Sequence, residues 1–270
     1  MHGYAGGMVD DGARLREGDG RTGHTPATEA EAARADREPA AGLPNVPLVE
    51  DAVDHPVEVR PTWRGWIHAG TFPLAILLGI VLVGAAQGAV AKTASAVFMA
   101  SSLLLFGISA LYHRVDWTPR TKRLLKRIDH ANIFLLIAGT YTPLSLLALP
   151  SDKGLLLLSL VWGGALLGIG FRVFWITAPR WLYVPIYVGL GWAALLFIGD
   201  LFAVSTTMMT LVLIGGVLYT AGAVVYGLKR PNPAPGHFGF HEIFHTCTVL
   251  AFACHWAATL LIAVDPAFNR

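Results

Sequence analysis

The sequence predicts an all-α membrane protein, a seven-transmembrane helix bundle preceded by a disordered tail. Hydrophobic residues make up 54% of the 270 residues and charged residues only 14%, and the mean hydropathy is +0.54. A soluble globular chain carries about 25% charged residues. From Trp66 onward, seven apolar runs follow one another, each near the roughly 20 residues that a helix needs to cross a bilayer. We therefore expect a multi-pass protein of the cell membrane.

The first 58 residues differ in composition from the rest of the chain. They hold 12 of the 18 acidic residues, are rich in Gly, Ala and Pro, and show no apolar period. Such a segment buries too little apolar surface to offset its chain entropy. We predict a disordered polar tail over residues 1–58, either simply solvated or binding a partner, and a seven-helix membrane domain over residues 59–270.

The apolar runs are separated by charged or proline-containing stretches, among them Lys92, residues 114–127 and Pro179. Backbone groups in lipid must find partners within their own segment, so helices are expected, and the alternating pattern of a membrane barrel is missing from these runs. The predicted spans cover roughly residues 66–91, 95–113, 130–149, 154–175, 182–203, 207–228 and 241–263.

The distribution of Lys and Arg predicts how the bundle is oriented. With the N-terminus in the cytoplasm, the inner segments hold twelve of these residues and the outer segments three. Short cytoplasmic loops of membrane proteins carry such an excess. We therefore predict a cytoplasmic N-terminus and a C-terminus outside the cell.

The same charges argue against several classes of protein. A basic body this apolar indicates positive loops rather than a nucleic-acid partner. Every lysine falls at a predicted break between spans, so no lysine is placed to form a Schiff base with retinal. Asp129, Asp200 and Glu242 fall at predicted helix ends, whereas an ion relay needs acidic residues near the middle of the membrane.

Polar side chains recur at one end of three predicted spans. The second span ends in Ser109 and His113, which are four residues apart and share a helix face. The third span begins beside Asp129, and the seventh begins with His241 and His245, again four residues apart. The predicted topology puts all five on the cytoplasmic side, so three helices present ligand-capable residues at one depth.

This set of residues has the chemistry of a metal site. Two histidines at i, i+4 can bind one metal ion from a single helical face, and three histidines plus water form a catalytic zinc arrangement. Imidazoles are costly in a hydrophobic layer unless they are paired or bound to metal. On this hypothesis Asp129 accepts a proton from the bound water or orients it, and Ser109 hydrogen-bonds that water or a substrate carbonyl.

Each of these residues also has a simpler interpretation. His241 and His245 can reach into the lipid headgroups without any metal. Asp129 can act as an N-cap or as a helix-dipole partner at the start of the third span. Ser109 can bond back to a carbonyl of its own helix. The spacing alone leaves these alternatives open.

Four neighbouring residues are assigned other roles. His130 points about 100° away from Asp129 around the helix and is left out of the site. Glu242 points off the histidine face, so we expect it at the surface or in a supporting contact. His255, about 15 Å deeper along the seventh span, is expected to pack between helices. His68, near the start of the first span, is predicted to lie at the membrane interface.

Three sequence blocks together resemble the hemolysin III family, which belongs with the progestin and adipoQ receptors and is related to alkaline ceramidases. The blocks are S-A-L-Y-H at residues 109–113, I-D-H-A-N-I-F-L-L-I-A-G-T-Y-T-P at residues 128–143 and H-E-I-F-H at residues 241–245. The resemblance covers roughly residues 60–265. It implies a zinc ion (Zn2+) near the cytoplasmic face, held by His113, His241 and His245, with Asp129 as the water-holding residue and Ser109 as the serine of the S-x-x-x-H motif.

The resemblance also implies several functions. The first is hydrolysis of an amide or ester bond in a membrane lipid, as part of membrane homeostasis. A non-enzymatic sensor or receptor with a structural zinc is the alternative, and the family name adds a cytolysin as a third. Neither the substrate nor the oligomeric state follows from the sequence.

Overall fold

The computed structural model describes residues 61–268, and this part of the chain is all-helical. Seven of its helices are long and apolar enough to cross a membrane. Within residues 61–268 the only β-type pairing is an isolated bridge between Ala234 and Phe238. The predicted seven-helix fold is therefore confirmed for a multi-pass membrane protein. The predicted tail over residues 1–58 lies outside the described residues.

The seven spans are numbered in chain order. From the fourth span onward, the first and last residues of each span lie within three residues of the predicted ones. The fifth is interrupted: α-helical Arg180–Gly191 is followed by a 3-10 turn over Ala193–Phe197 and by α-helical Ile198–Val204. The spans are α1 (Trp66–Ala85), α2 (Gly88–Arg114), α3 (Pro119–Leu147), α4 (Ser151–Phe174), α5 (Arg180–Val204), α6 (Thr206–Leu228) and α7 (Phe240–Val264).

The predicted break at Lys92 is wrong. Helix α1 ends at Ala85 and α2 begins at Gly88, so Lys92 lies inside α2 with its side chain exposed. The chain turns earlier because the backbone N–H of Gln87 donates to the Ala263 carbonyl at 2.8 Å, and Gly88 takes a φ of +80°. A lysine this near a helix end can extend its ammonium group to the interface, so it need not mark a loop.

The predicted start of the third span is also wrong, by eleven residues. Helix α3 begins at Pro119, where the Thr118 hydroxyl accepts a hydrogen bond from the Thr121 N–H at 3.3 Å. A capping threonine followed by proline is a favourable helix start, and Arg and Lys are good helix formers. The basic stretch from Arg120 to Arg127 is therefore helical. Asp129 lies more than two turns inside α3, which makes its interpretation as an N-cap wrong.

Helix α3 is the most enclosed of the seven and packs between α2 and α4. Its close approach to α2 depends on Gly139, because a Cβ there would lie 2.0 Å from the Ser101 Oγ and 2.7 Å from its Cβ. Glycine lets helix backbones approach closely in membranes, where lipid tails provide no hydrophobic drive for association.

Backbone contacts fix the starts of α1 and α7 beside each other. The N–H groups of Thr62 and Trp63 donate to the carbonyls of Gly236 and His237 at 3.0 and 3.2 Å. Successive spans run in opposite directions, so the starts of α1, α3, α5 and α7 share one end of the bundle with the ends of α2, α4 and α6. We call this the histidine end, because it holds His113, His241 and His245.

We expect Gly139→Ala to destabilise the bundle, because the added methyl group must push α2 away from α3. Overpacking of this kind costs about 1–3 kcal/mol. The matched control is Gly163→Ala on α4, where an added Cβ meets nothing within 4 Å. Thermal unfolding in detergent should show a lower Tm for the first variant and an unchanged Tm for the second. Equal Tm values would contradict the close α2–α3 contact.

Candidate metal centre

Three histidine rings meet at the histidine end. His113 comes from the end of α2, and His241 and His245 come from the first two turns of α7. One ring nitrogen from each lies within 4.8 Å of the other two. The closest pair is the Nε2 atoms of His113 and His241, which are 3.2 Å apart. The rings that the sequence predicts to converge are therefore brought together.

The local backbone explains how His113 reaches the α7 histidines. The segment before α1 crosses the end of α2 at Gly65, which has a φ of +81°. A Cβ at this position would lie 2.7 Å from the Cβ of His113. Glycine serves both needs, because it tolerates positive φ and leaves room for the neighbouring side chain. The i, i+4 spacing then places His241 and His245 on one face of α7, opposite His113.

The donor set fits a metal ion. A tetrahedral ion with histidine ligands at about 2.0–2.1 Å holds neighbouring nitrogens roughly 3.3–3.4 Å apart. The Nε2 distance of 3.2 Å between His113 and His241 is close to that value. His113 and His245 are buried, with 7% and 3% of their surfaces exposed. A cation shared by the three rings would offset the cost of burying them.

Asp129 and Ser109 lie beside the histidines. The Ser109 side chain lies close to the Asp129 carboxyl across the α2–α3 contact. Both residues line a cavity of about 120 Å³, together with His241 and His245. The carboxyl therefore faces the same space as two of the histidines, at a depth where water can be enclosed with it.

The cavity runs from the histidine end into the bundle between α3, α5, α6 and α7. Its wall is mainly aliphatic and aromatic, and polar groups are concentrated near the histidines and again near His255. The cavity therefore has a polar end and a mainly apolar remainder.

The sequence comparisons agree with this arrangement. A profile of the family described as Haemolysin-III related matches residues 58–256, which include all five predicted site residues. The chain belongs to the hemolysin III family. It is 35% identical to the "Hemolysin-3 homolog" of Bacillus subtilis (strain 168) over 173 residues, covering 64% of this chain and 78% of that protein.

Two further relatives place the family in context. The chain is 33% identical to "Hemolysin-3" of Bacillus cereus over 153 residues, covering 56% of this chain and 69% of the relative. It is 47% identical to the "ADIPOR-like receptor IZH2" of Saccharomyces cerevisiae (strain ATCC 204508 / S288c) over 49 residues, or 16% of each chain. The second match supports the relation of hemolysin III proteins to the progestin and adipoQ receptors.

A fourth histidine in this hemolysin III protein was not predicted to belong to the cluster. His68 on α1 is only 2% exposed, so its assignment to the membrane interface is wrong. Its ring stacks on His245 with centroids 3.9 Å apart and planes 14° from parallel, and it lines the cavity. One feature of the sequence could have indicated this position: His68 lies two residues after the start of α1, at the same end of the bundle as the other three histidines.

Glu242 is buried, which rules out the predicted surface position. It is 0% exposed, its carboxylate is 2.5 Å from the Nε of Arg64, and its second oxygen accepts from the Gly239 N–H at 2.9 Å. The pair joins the segment before α1 to the first turn of α7. Glu242 lies between the two α7 histidines in sequence, so this ion pair holds the turn that carries them.

The remaining histidines are placed largely as predicted. His130 is apart from the cluster, with its Nδ1 2.6 Å from the Lys126 carbonyl oxygen, although its ring lines the cavity. His255 packs between α6 and α7, with its Nε2 3.2 Å from the Val212 carbonyl oxygen.

We expect Glu242→Gln to destabilise the protein strongly, because it leaves the Arg64 guanidinium without its carboxylate partner. Breaking one side of a buried ion pair costs about 3–5 kcal/mol. The matched control is Asp200→Asn, which breaks the exposed Lys153–Asp200 pair, with 41% and 36% of the side chains exposed. That change should cost about 0–1 kcal/mol. Chemical unfolding in detergent compares the two, and equal losses would contradict a structural role for Glu242.

Proposed function

We propose that this chain is an integral-membrane, zinc-dependent hydrolase that cleaves an amide or ester bond in a membrane lipid. The observation that supports the proposal most is the meeting of three imidazoles with Asp129 at one end of a mainly apolar cavity. Three protein ligands leave a coordination position open, which is typical of catalytic rather than structural zinc sites. A bound zinc ion lowers the pKa of its water ligand and polarises a carbonyl oxygen.

Zinc suits this donor set better than other common ions. Imidazole nitrogens suit zinc and several transition metals, whereas magnesium and calcium prefer oxygen ligands. His113, His241 and His245 each offer one nitrogen, and with them the site resembles the three-histidine arrangement of catalytic zinc.

The side chains around the histidines supply the remaining chemistry. Asp129 is placed to orient an attacking water and to take its proton, which is then available for the leaving group. Ser109 lines the cavity beside Asp129 and would hydrogen-bond the water or a substrate carbonyl. The apolar wall of the cavity holds the lipid chain and excludes bulk water from the reacting end. On this proposal a membrane lipid enters the cavity sideways between helices.

We also propose that the histidine end faces the cytoplasm. The basic stretch on α3 from Arg120 to Arg127, together with Arg172 and Arg180, lies at this end, whereas Lys92 and Lys153 lie at the other. The excess of positive charge supports a cytoplasmic position. The proposed reaction would then take place at the inner leaflet.

A membrane receptor with a structural zinc is the second candidate. The stretch of 47% identity to a yeast protein named as an ADIPOR-like receptor favours it. A receptor of this kind would bind the same zinc ion as the hydrolase but would not convert a lipid into products. The two therefore differ in what Asp129 is expected to do.

We expect purified protein to contain about one zinc per chain, measured by elemental mass spectrometry. His113→Ala should remove most of that zinc, because two histidines and water bind the ion far more weakly than three. His255→Ala is the matched control, since it removes a buried histidine of α7 that lies away from the cluster. Metal-free protein that is folded and active would contradict a zinc-dependent reaction.

We expect Asp129→Asn to reduce lipid hydrolysis about 10²–10⁴-fold while zinc content is retained, because the amide cannot take the proton from water. Product release from a panel of lipid amides, including ceramides, and lipid esters is the measurement. Wild-type protein that binds zinc but releases no product from any lipid of the panel would favour the receptor.

A further inference from the structure

A second polar site lies within the cavity, away from the histidine end. Tyr219 on α6 and His255 on α7 both line the cavity, and their ring centroids are 5.5 Å apart in an edge-on arrangement. His255 is ten residues beyond His245 on α7, which places it roughly 15 Å further along the helix axis. The pair is therefore well separated from the metal-binding residues, in an otherwise mainly apolar part of the cavity.

The hydrogen-bonding state of His255 follows from its contact with Val212. The Val212 carbonyl oxygen, 3.2 Å from the Nε2, can only accept, so the Nε2 carries the proton. In the neutral ring the Nδ1 is then an acceptor. This Nδ1 and the Tyr219 hydroxyl are both buried and have no hydrogen-bond partner among residues 61–268. Burying such groups without hydrogen-bond partners is costly.

The neighbouring polar groups have partners within the protein. The Trp192 Nε1 donates to the Thr220 hydroxyl at 3.0 Å, and Thr220 donates to the Gly216 carbonyl at 2.8 Å. The Tyr141 hydroxyl donates to the Gly191 carbonyl at 2.6 Å and accepts from a backbone N–H. The histidine end of the cavity also holds unpartnered nitrogens, on His68 and His245. Away from that end, among the described residues, the Nδ1 of His255 and the Tyr219 hydroxyl are the unpartnered polar groups of the cavity wall.

The sequence of α6 makes room for the His255 ring. A Cβ on Gly215 would lie 2.3 Å from the Cδ2 and Nε2 of His255, so any larger residue would displace the ring. A smaller cavity of about 30 Å³, lined in part by His255, Tyr141 and Trp192, adjoins the first one. A chain that passes the pair therefore finds further space beyond it.

We propose that Tyr219 and His255 bind a hydroxyl group carried on the hydrocarbon chain of the lipid. A hydroxyl can donate to the Nδ1 of His255 and accept from the Tyr219 hydroxyl, so it satisfies both unpaired groups at once. A ketone could accept from Tyr219 but would leave the Nδ1 unpaired. The inference rests on the lipid-binding part of the proposed function and assigns the substrate to the class of chain-hydroxylated lipids.

The test uses three fatty acids, which match the acid product of the proposed hydrolysis and are not consumed. Octadecanoic acid, 12-hydroxyoctadecanoic acid and 12-oxooctadecanoic acid are titrated into the full-length protein in detergent by calorimetry. We expect the hydroxy acid to bind about tenfold more tightly than octadecanoic acid, with the oxo acid between them, since each hydrogen bond adds a modest net gain. Tyr219→Phe should reduce the hydroxyl preference to about twofold or less.

The control variant is Tyr226→Phe, which removes a hydroxyl at the histidine end of the same cavity and should keep the tenfold preference. Equal affinity of the wild-type protein for the hydroxy acid and for octadecanoic acid would overturn the inference. Tyr219 and His255 would then be taken to bind an enclosed water molecule. A preference that survives Tyr219→Phe would also overturn it. If the protein cleaves no lipid but binds the hydroxy acid tenfold more tightly than octadecanoic acid, the hydrolase proposal is refuted and the hydroxyl-binding site is supported.

Discussion

The cost of burying imidazole rings within a membrane protein governs the histidine end of this bundle. Four histidines lie together there, and each ring removed from water needs a partner. The Nε2 atoms of His113 and His241 are 3.2 Å apart, a distance that either a hydrogen bond between the two neutral rings or a shared cation can maintain. The surrounding structure maintains this convergence: Gly65 allows the chain to pass His113, and the Arg64–Glu242 pair holds the first turn of α7.

The same end of the bundle connects to the membrane interior through the cavity. Asp129 and Ser109 face it beside the histidines, while aromatic and aliphatic side chains form most of the wall. A polar end joined to an apolar cavity is the basis of the proposal that the ligand is an amphiphile. The hydroxyl site at Tyr219 and His255 would add a second point of recognition, which allows lipids to be distinguished by their chains as well as by their headgroups.

Local pattern was enough to predict most of the fold and part of the site. Apolar runs indicated four of the spans to within three residues, and the i, i+4 spacing placed His241 and His245 on one face. The start of α3 was missed because a bilayer-length criterion detects only apolar residues, while α3 extends through a charged stretch after its Thr118 cap. His68 was misplaced, and the choice between a surface position and a supporting contact for Glu242 stayed open, because both positions depend on contacts with residues far away in sequence. Such tertiary contacts leave no periodic signal in one sequence.

X-ray absorption spectroscopy at the zinc edge, on protein purified in lipid nanodiscs, tests the central claim most directly. It reports the atoms that surround the ion without depending on any choice of substrate. We predict three imidazole nitrogens at about 2.0–2.1 Å and one further light ligand. A coordination shell of sulfur or of oxygen alone, or folded protein that holds no metal, would contradict the account.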